Sequence, residues 1–323
     1  MDRKDSETLR MLVTGGAGFI GSAIVRDAVS TGHDVVAVDD FSIGHQDAMP
    51  AGVSVAEVDL SCQRDVDRLF QEVRPHVVSH HAAQSSVAGS LEQPQIDISS
   101  NYEALINILD AASRVSADHL IFASSCSVYG ECLEPADENQ PTFPQSPYAI
   151  SKLAGEGYVK YYQRCHGLNS TILRYGNVYG PGQSTNRGCG VVAMFADRIL
   201  HGRPVQVFGN GRSIRDYVHI DDVVNAHSRV VKSFVPDSCS VLNVGTGIGT
   251  TPLQLIEWIR QLTGSEFSDE PAVEYLPTRI GETTASLLSP ERAKRSFNWR
   301  PSIDIRSGIE TVVDWLVPTR VPQ

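Results

Sequence analysis

Short apolar runs alternate with amphipathic stretches along the first half of the chain. Each run has the length of a buried strand, and the stretches between them repeat their apolar residues at helical spacing. This alternation predicts a parallel sheet covered by helices on both faces. The predicted strands are Met11–Val13, Asp34–Val38, Val53–Val58, His76–Ser79, His119–Ala123 and Ser170–Tyr175, and the predicted helices are Ile20–Ser30, Gln63–Val73, Ile96–Ser113 and Pro147–His166.

Beyond residue 176 the alternation of apolar runs and amphipathic stretches ends, and loops rich in glycine and proline separate shorter elements. No internal repeat or low-complexity segment is visible. We therefore expect two domains, residues 1–176 and 177–323, with a cleft between them and with segments of the second half returning to the first. The helices expected in the second half are Val191–Leu200, Asp221–Lys232, Leu253–Leu262 and Ile303–Val317.

The charge balance is acidic, with 27 Lys and Arg against 38 Asp and Glu and a formal net charge of −11. A nucleic acid or an anionic membrane surface needs a concentrated positive field, so neither is expected as a partner. Six widely spaced cysteines, without a CxxC pair, predict reduced thiols and no metal site. No apolar run approaches the ~20 residues that span a bilayer, and the polar N-terminus does not resemble a signal peptide. We expect a soluble, cytoplasmic protein.

A glycine-rich loop follows the first predicted strand and opens the first helix. Its glycines, Gly15, Gly18 and Gly21, have a GxxGxxG spacing. Glycine permits the tight turn and lets a pyrophosphate approach the backbone N–H groups at the helix N-terminus. The loop, with Phe19 and Ile20 inside it, therefore predicts a dinucleotide site.

Acidic residues at two strand ends indicate which dinucleotide is bound. Asp39 and Asp40 end the second strand, ~20 residues after the loop, where a carboxylate can accept hydrogen bonds from both ribose hydroxyls. No Arg or Lys lies between Gly32 and Pro50 to neutralise a 2′-phosphate, so NAD is favoured over NADP. Asp40 is the better candidate for an ordinary solvated residue. Asp59, at the end of the third strand, is expected near the adenine.

Tyr148 and Lys152 form a YxxxK pair on the helix that begins at Pro147. Residues four apart on a helix share a face. A lysine ammonium near a phenol lowers the phenol's pKa from about 10, which makes the phenolate a usable base near neutral pH. Ser125 lies just after the fifth strand, at the sheet edge where ligands bind, and its hydroxyl can share a proton with a substrate and with Tyr148.

The chain resembles the extended short-chain dehydrogenases/reductases, in the NAD-dependent epimerase/dehydratase family, and is most similar to the UDP-glucose 4-epimerase-like branch. The likeness extends from about Leu9 to Trp315. It is carried by TGGAGFIGS, the Asp39-Asp40 pair, HHAAQ, SSCSVYG, SPYAISK, LRYGNVYGPGQ, RDYVHIDD and PTRIGE. The resemblance implies a Rossmann-type doubly wound parallel sheet with a smaller C-terminal α/β substrate domain.

The resemblance also implies roles for individual residues. Ser125 is expected to be the catalytic serine, Tyr148 the base, and Lys152 the residue that holds the nicotinamide ribose. The further cofactor positions implied are Leu60, Ala82, Ala83, Gln84, Asn101, Ser124 and Tyr175, beside Asp39 and Asp59. The substrate positions implied are Ser125, Ser127, Asn177, Arg187, Val192, Phe208, Arg215, Tyr217, Arg279, Glu282 and Ser286.

Within the substrate site, Arg215 and Arg279 are expected to clamp a diphosphate from two sides, because each has a planar fork of donors. Phe208 is expected to pack on a uracil face. Glu282 stands where the family usually has Asp, which weakens its expected ribose contact. His219 is expected to be structural.

The residues after Ser125 select among the reactions of the family. Related dehydratases carry an Asp-Glu pair there and decarboxylases a Glu, whereas this chain has Cys126 and Ser127, neither of which is a carboxylate. The expected reaction is therefore oxidation of the sugar at C4 by NAD, turning of the 4-keto sugar, and return of the hydride to the opposite face. A dehydratase or decarboxylase, and a dinucleotide-binding protein without turnover, remain alternatives. Cys126 is expected to be a small buried residue, with a thiol role left open.

The sugar itself is expected to be a neutral or N-acetylated UDP-hexose. Ser286 stands where some epimerases have a bulky Tyr, so space is left for an enlarged sugar. Arg187 could pair with a C6 carboxylate or be solvated, which leaves UDP-glucuronate as the second choice. The resemblance further implies a homodimer, formed through the helices matching Ile96–Ser113 and Pro147–His166. The apolar residues Leu105, Ile108, Leu109, Tyr158, Tyr161 and Tyr162 serve either that interface or the core.

Overall fold

Buried β-branched and aliphatic residues form the strands that the alternating pattern predicted. The computed structural model describes residues 8–185, 190–234, 236–264, 272–279 and 281–317. Its strands are β1 (Arg10–Thr14), β2 (Asp34–Asp39), β3 (Ser54–Glu57), β4 (Val77–His80), β5 (His119–Ser125), β6 (Ser170–Tyr175), β7 (Asn177–Tyr179), β8 (Val205–Phe208), β9 (Ile214–His219), β10 (Cys239–Val244), β11 (Gly249–Thr250), β12 (Val273–Leu276) and β13 (Ala285–Ser286).

The helices lie between these strands, in the alternation typical of parallel sheets. They are α1 (Phe19–Ser30), α2 (Gln63–Val73), α3 (Val87–Glu92), α4 (Pro94–Asp97), α5 (Ala104–Arg114), α6 (Pro147–His166), α7 (Val191–Leu200), α8 (Ile220–Ser233), α9 (Pro252–Thr263), α10 (Glu291–Phe297) and α11 (Ile305–Leu316). A π-helical segment, Ile98–Glu103, joins α4 to α5.

A seven-stranded sheet has the order β3-β2-β1-β4-β5-β6-β10. Every neighbouring pair in it is parallel, and its last strand, β10, comes from the second half of the chain. The order reverses between β1 and β4, and ligands of such sheets bind where the carboxyl ends of the strands diverge. The predicted doubly wound α/β fold is confirmed.

Apolar side chains cover both faces of this sheet and fill a third core. One cluster packs α1, α8 and α10 against the sheet, and a second packs α2, α5 and α6 against the opposite face. The third cluster lies among α7, α9 and α11, with β8 and β9 contributing. The smaller sheet, in which β9 pairs with β7 and lies between β11 and β13, packs on the large one through Val218 of β9, which belongs to the first cluster.

Burial separates core residues from surface residues among those predicted for a dimer interface. Leu105, Ile108 and Leu109 are fully buried, so they belong to the core. Tyr162 is buried as well, and its hydroxyl donates to Asp110 Oδ1 at 2.5 Å. Tyr158 and Tyr161 keep 36% and 45% of their surface exposed. Only these two tyrosines of the set remain available to a partner.

The second half departs most from the sequence-based expectation. Its four predicted helices lie within two residues of their predicted ends, but the strands β7 to β13 and the short helix α10 were not predicted. Most of these elements are too short to repeat a hydrophobic period. The predicted helix Ile96–Ser113 was also wrong in one respect, because the π-helical segment interrupts it.

Candidate active site

The glycine-rich loop between β1 and α1 is packed too tightly for side chains at two positions. Gly15 has φ +66°, and a Cβ there would lie 2.6 Å from Ala82 N. A Cβ on Gly21 would lie 2.0 Å from Gly15 O. The hydroxyl of Thr14 accepts from Ala82 N at 3.2 Å, which ties the end of β1 to the segment after β4. The backbone N–H groups at the start of α1 are therefore held at the sheet edge, as a pyrophosphate site requires.

Asp39 ends β2 beside this loop and is buried. Its Oδ2 accepts from Ala17 N at 2.9 Å, and its Oδ1 accepts from Phe41 N at 3.0 Å. Each carboxylate oxygen has a second lone pair, so the group can still accept from ribose hydroxyls. Asp40 is exposed and accepts from Ser42 N and Oγ in a local turn. These contacts favour Asp39 as the ribose ligand and Asp40 as a solvated turn residue.

Asp59 follows β3 and is exposed at the same edge of the sheet. Its Oδ1 accepts from Ser61 N at 2.9 Å and from Ser61 Oγ at 2.7 Å. The neighbouring Leu60 is buried, and its carbonyl accepts from Asn107 Nδ2 of α5 at 2.9 Å. The loop is thus fixed to α5, and the adenine contact of Asp59 stays a prediction.

Asn101 lies in the π-helical segment and fastens the segment after β4 to α6. Its Oδ1 accepts from Gln84 N at 2.8 Å, and its Nδ2 lies 3.0 Å from Gln84 O. The same Nδ2 is 3.0 Å from Asp97 Oδ1 and 3.2 Å from Ser151 Oγ. π-Helical turns occur frequently at functional sites, and this one directs the Asn101 amide between two segments that carry predicted cofactor residues.

The helix α6 is fixed in register by its own sequence. The hydroxyl of Ser146 accepts from Ala149 N at 3.2 Å, Pro147 occupies the first turn, and Gly167, with φ +70°, ends the helix. Such caps satisfy the free backbone groups of a helix end. Tyr148 and Lys152 therefore lie on one face of α6, as predicted, and the Lys152 Nζ is 5.9 Å from the centre of the Tyr148 ring.

The Lys152 ammonium is buried and points at the end of β5. It donates to Ala123 O at 2.9 Å, two residues before the predicted catalytic Ser125. Burial lowers the pKa of Lys152 to about 8, although the carboxylate of Asp97 opposes this. The contact brings Tyr148, Lys152 and the segment of Ser125 together at one edge of the sheet.

Ser125 and the two residues after it form a single tight turn. The Ser125 Oγ accepts hydrogen bonds from Ser127 N at 3.2 Å and from Ser127 Oγ at 2.9 Å. Burial raises the pKa of the Cys126 thiol, and hydrogen bonds with Ser286 and Ser125 oppose this only partly. The thiol therefore stays protonated at neutral pH, consistent with a small buried residue rather than a thiolate nucleophile.

Tyr175 ends β6 within a chain of histidine and hydroxyl groups that sequence reasoning missed. Its hydroxyl lies 3.0 Å from His81 Nε2, and His81 Nδ1 lies 3.1 Å from Ser79 Oγ. The same Ser79 Oγ is 2.8 Å from His227 Nε2 on α8. The two adjacent histidines in HHAAQ are the one sign of this arrangement in the sequence. His227 could not be placed beside them, because it comes from the second half of the chain.

Two buried histidines make the fold sensitive to acid. Burial lowers the pKa of His80 and of His227 to about 3, against about 6.5 in an unfolded chain. Their contribution to stability is complete above pH 6.5 and is lost as the pH falls from 6.5 towards 3, because the unfolded chain binds the protons first. Between pH 7.5 and 5.5, we expect each histidine to lower the free energy of unfolding by about 1.4 kcal/mol.

Urea unfolding of His227→Gln at these two pH values measures this effect. The glutamine can keep the bond to Ser79 but does not titrate, so the loss on acidification should be smaller by about 1.4 kcal/mol. The exposed His45→Gln is the control and should behave as the parent chain. An equal loss in His227→Gln and in the parent chain would contradict the assignment.

Strand β9 brings predicted substrate residues together in the second half. Asn177 on β7 pairs with Tyr217 on β9, and Ser286 on β13 pairs with Arg215 on β9. Ser286 and Tyr217 are buried, whereas Arg215 and Asn177 are partly exposed. Residues from three separate segments of the sequence thus share neighbouring positions in one small sheet.

Asp216 lies between Arg215 and Tyr217 on β9, and its carboxylate binds the segments that follow β10 and β13. Its buried carboxylate accepts from Thr246 N at 2.8 Å, Thr246 Oγ1 at 2.7 Å, Gly247 N at 2.9 Å and Leu288 N at 3.1 Å. Burial raises the pKa of Asp216, and these donors act in the opposite direction. The motif RDYVHIDD contained this residue, but its role depends on partners that sequence did not place.

The two predicted diphosphate arginines are held by different contacts. Arg215 donates to Ile214 O at 3.0 Å and to Thr283 O at 2.7 Å. The Arg279 guanidinium lies over the ring of Phe208, 3.5 Å from its centre, and pairs with Glu282 Oε1 at 3.7 Å. Phe208 is therefore covered by Arg279 on one face, which the prediction of uracil packing had not included.

Two other predicted residues have buried side chains, and their roles at a ligand site stay predictions. Val192 is fully buried on α7, and its side chain packs in the third core cluster. The hydroxyl of Ser124, a predicted cofactor residue, donates to the buried Glu156 Oε1 at 2.7 Å and is directed into the interior. Arg187 lies outside the described residues.

Neither a metal-binding cluster nor a membrane-spanning helix occurs in the part of the chain that the structure describes. These residues contain no set of three or more His, Cys, Asp or Glu side chains placed to hold a metal ion. Within the same ranges, no helix is both long and apolar enough to cross a membrane.

Comparison with known proteins gives consistent matches. The model of the NAD-dependent epimerase/dehydratase family matches residues 11–245. A UDP-glucose 4-epimerase of Mycolicibacterium smegmatis is 35% identical over 313 residues, covering 95% of this chain and 98% of that protein. The crystal structure of the Thermus thermophilus UDP-glucose 4-epimerase complex with NAD is 39% identical, with a TM-score of 0.90 over 96% of this chain and 99% of that one.

A third similar protein is named for a different sugar nucleotide. The UDP-N-acetylglucosamine 4-epimerase of Methanobrevibacter ruminantium M1, in complex with UDP-N-acetylmuramic acid, is 29% identical, with a TM-score of 0.88 over 97% of this chain and 100% of that one. The prediction of NAD as cofactor is confirmed by the family match and the NAD complex. With the glycine loop, Asp39 and the Tyr148–Lys152 pair in place, the chain belongs to the NAD-dependent epimerase/dehydratase family.

Proposed function

We propose that this protein is a NAD-dependent 4-epimerase of a UDP-hexose. The observation that carries the proposal is the contact of Lys152 Nζ with Ala123 O, which joins the YxxxK face of α6 to the strand that ends in Ser125. Similar proteins named as UDP-hexose 4-epimerases support the same reaction. The protein is an enzyme of this class.

The residues at the sheet edge fit NAD. The loop in which Gly15 and Gly21 leave no room for a Cβ would hold the pyrophosphate, and Asp39 would hold a ribose. Bound NAD would supply the reversible hydride acceptor that oxidation and reduction at the sugar C4 require. No lysine or arginine side chain lies beside Asp39 between residues 32 and 50, which suits a cofactor without a 2′-phosphate.

The protein's own groups handle the proton and hold the substrate. Tyr148 removes the proton of the C4 hydroxyl and later gives it back, while the Ser125 hydroxyl bridges the two oxygens. The positive charge of Lys152 favours the phenolate form of Tyr148. Arg215 and Arg279 hold the diphosphate, so that the sugar can turn while the nucleotide stays bound.

The sugar is proposed to be a neutral or N-acetylated hexose. Ser286 and Cys126 form a hydrogen-bonded pair of small side chains beside Ser125, and small groups at this point leave room for an enlarged sugar. UDP-glucuronate is the second candidate and rests on Arg187. No carboxylate stands at position 126 or 127 to support elimination or decarboxylation.

Product analysis tests this function directly. The NAD-loaded protein is incubated separately with UDP-glucose, UDP-N-acetylglucosamine and UDP-glucuronate, and the products are separated by chromatography. We expect the C4 epimer of one of the first two, with unchanged mass. Loss of water or carbon dioxide would contradict the proposal, and so would NAD binding without turnover of any of the three.

We also propose that the enzyme is a homodimer in the cytoplasm. Support for the dimer is the exposure of Tyr158 and Tyr161 on α6 and of Ile98 on the preceding helical segment, with Ile150 on α6 exposed as well. Apolar groups that gather on one exposed face are typical of protein interfaces. The cytoplasmic location rests on the sequence arguments and stays a prediction.

A further inference from the structure

Glu131 is a solvent-exposed residue directly after the turn that contains Ser125, and the proposed reaction does not use it. Its carboxylate accepts from Thr284 N at 2.8 Å, from Ala285 N at 3.1 Å and from the Thr284 hydroxyl. The next residue continues the contact, because Cys132 N donates to Ala285 O at 2.9 Å. One short loop thus binds one short segment, residues 283–286, through four hydrogen bonds.

The segment 283–286 is the part of the chain that supports the expected diphosphate clamp. The carbonyl of Thr283 accepts from Arg215 Nη2 at 2.7 Å, and Thr284 O accepts from Ile214 N at 2.7 Å. Ser286 pairs with Arg215 in the sheet. Arg279 and Glu282 lie only a few residues upstream. A shift of this segment would therefore move the Arg215 guanidinium relative to Ser125.

The chemistry of the contact requires both oxygens of a carboxylate. Oε2 accepts from Thr284 N, while Oε1 accepts from Ala285 N and the Thr284 hydroxyl. A glutamine has a single acceptor oxygen, so its NH2 group would face a backbone N–H. An aspartate keeps both acceptors on a shorter side chain. Glutamine therefore removes one of the two acceptor oxygens, whereas aspartate is the conservative substitution that keeps both.

We propose that Glu131 is a positioning residue for nucleotide-sugar binding, which fixes the segment 283–286 and, through Thr283, the guanidinium of Arg215. The inference rests on the proposed function, because it assigns Arg215 to the diphosphate of a UDP-sugar. It adds to that function a residue that touches neither cofactor nor substrate but sets the distance between the nucleotide site and the catalytic turn.

Titration calorimetry with UDP on the NAD-loaded protein tests the proposal. UDP does not react, so its binding is measured independently of turnover. We expect Glu131→Gln to weaken UDP binding about tenfold, the loss that follows from a poorly made charged hydrogen bond. Glu131→Asp should fall between Glu131→Gln and the parent chain. Glu134→Gln, at an exposed position in the same loop, is the matched control and should bind UDP as the parent chain does.

Kinetics and stability distinguish positioning from a general structural role. In Glu131→Gln we expect a higher KM for the UDP-sugar, a kcat within about threefold of the parent value, and unchanged NAD content and Tm. Unchanged UDP binding would overturn the inference, and so would a joint fall of UDP affinity, NAD content and Tm. Failure of the parent chain itself to bind UDP would contradict the proposed function, and the role of Glu131 with it.

Discussion

Replacement of Tyr148 by phenylalanine is expected to lower kcat for epimerisation between about a hundred- and ten-thousand-fold. The substitution keeps the ring, which lies 5.9 Å from the Lys152 ammonium, and removes only the hydroxyl. Without the phenol hydroxyl, the group assigned as the base for the C4 hydroxyl is gone. The assay is the conversion of the UDP-hexose into its C4 epimer at saturating substrate.

The controls separate loss of the base from loss of the fold or the cofactor. Tyr148→Phe should keep the NAD content of the parent chain, because the glycine loop and Asp39 are untouched. Tyr161→Phe removes a hydroxyl from the exposed part of the same helix and should leave kcat unchanged. Full activity of Tyr148→Phe would contradict the assignment of Tyr148 as the base.

Replacement of Glu156 by alanine is expected to lower the free energy of unfolding by about 3–5 kcal/mol, the usual cost of removing one partner of a buried ion pair. The Glu156 side chain is 0% exposed and that of Arg174 is 4% exposed. Glu156 accepts from Arg174 Nε at 2.7 Å, from Arg174 Nη2 at 2.6 Å and from Ser124 Oγ at 2.7 Å. Alanine would leave a buried guanidinium and a buried hydroxyl without their acceptor.

Urea unfolding measures this loss, and two further variants show its cause. In Glu156→Met combined with Arg174→Met, both charges are removed, so most of the stability should return. Asp67→Asn breaks the more exposed pair with Arg114, which has an N–O distance of 2.8 Å, and should cost less than about 1 kcal/mol. A loss in Glu156→Ala no larger than in Asp67→Asn would show that the buried pair does not support the fold.

Local patterns in the sequence were sufficient for a large part of the fold. The helix Pro147–His166 was predicted to the residue, because its cap at Ser146, its proline and its final Gly167 all act within a few residues of the helix ends. The glycine loop was likewise predicted, because a tight turn between a strand and a helix needs glycine whatever surrounds it. Asp39 was predicted from its distance to that loop.

The resemblance to the epimerase/dehydratase family, carried by the sequence motifs, implied the reaction, and the lack of carboxylates after Ser125 favoured epimerisation among the reactions of that family. The sequence did not determine which polar groups meet across the fold. Glu131 contacts Thr284 across 153 residues, and Ser79 contacts His227 across 148. The sequence separation of such pairs follows no regular pattern that could be recognised in advance. Which residues meet is set by the packing of strands and helices against one another.

The same limit applies to apolar residues. Val192 and the apolar residues Leu105, Ile108 and Leu109 have side chains that suit a core as well as a binding surface, so only burial in the folded chain assigned them to the core. The sequence by itself thus determined the parallel α/β architecture, the glycine loop and the shared face of Tyr148 and Lys152 on α6, because each depends on neighbours in the chain. The tertiary structure alone decided how Arg215, Arg279 and Ser286 are held, because their contacts join segments that only the fold brings together.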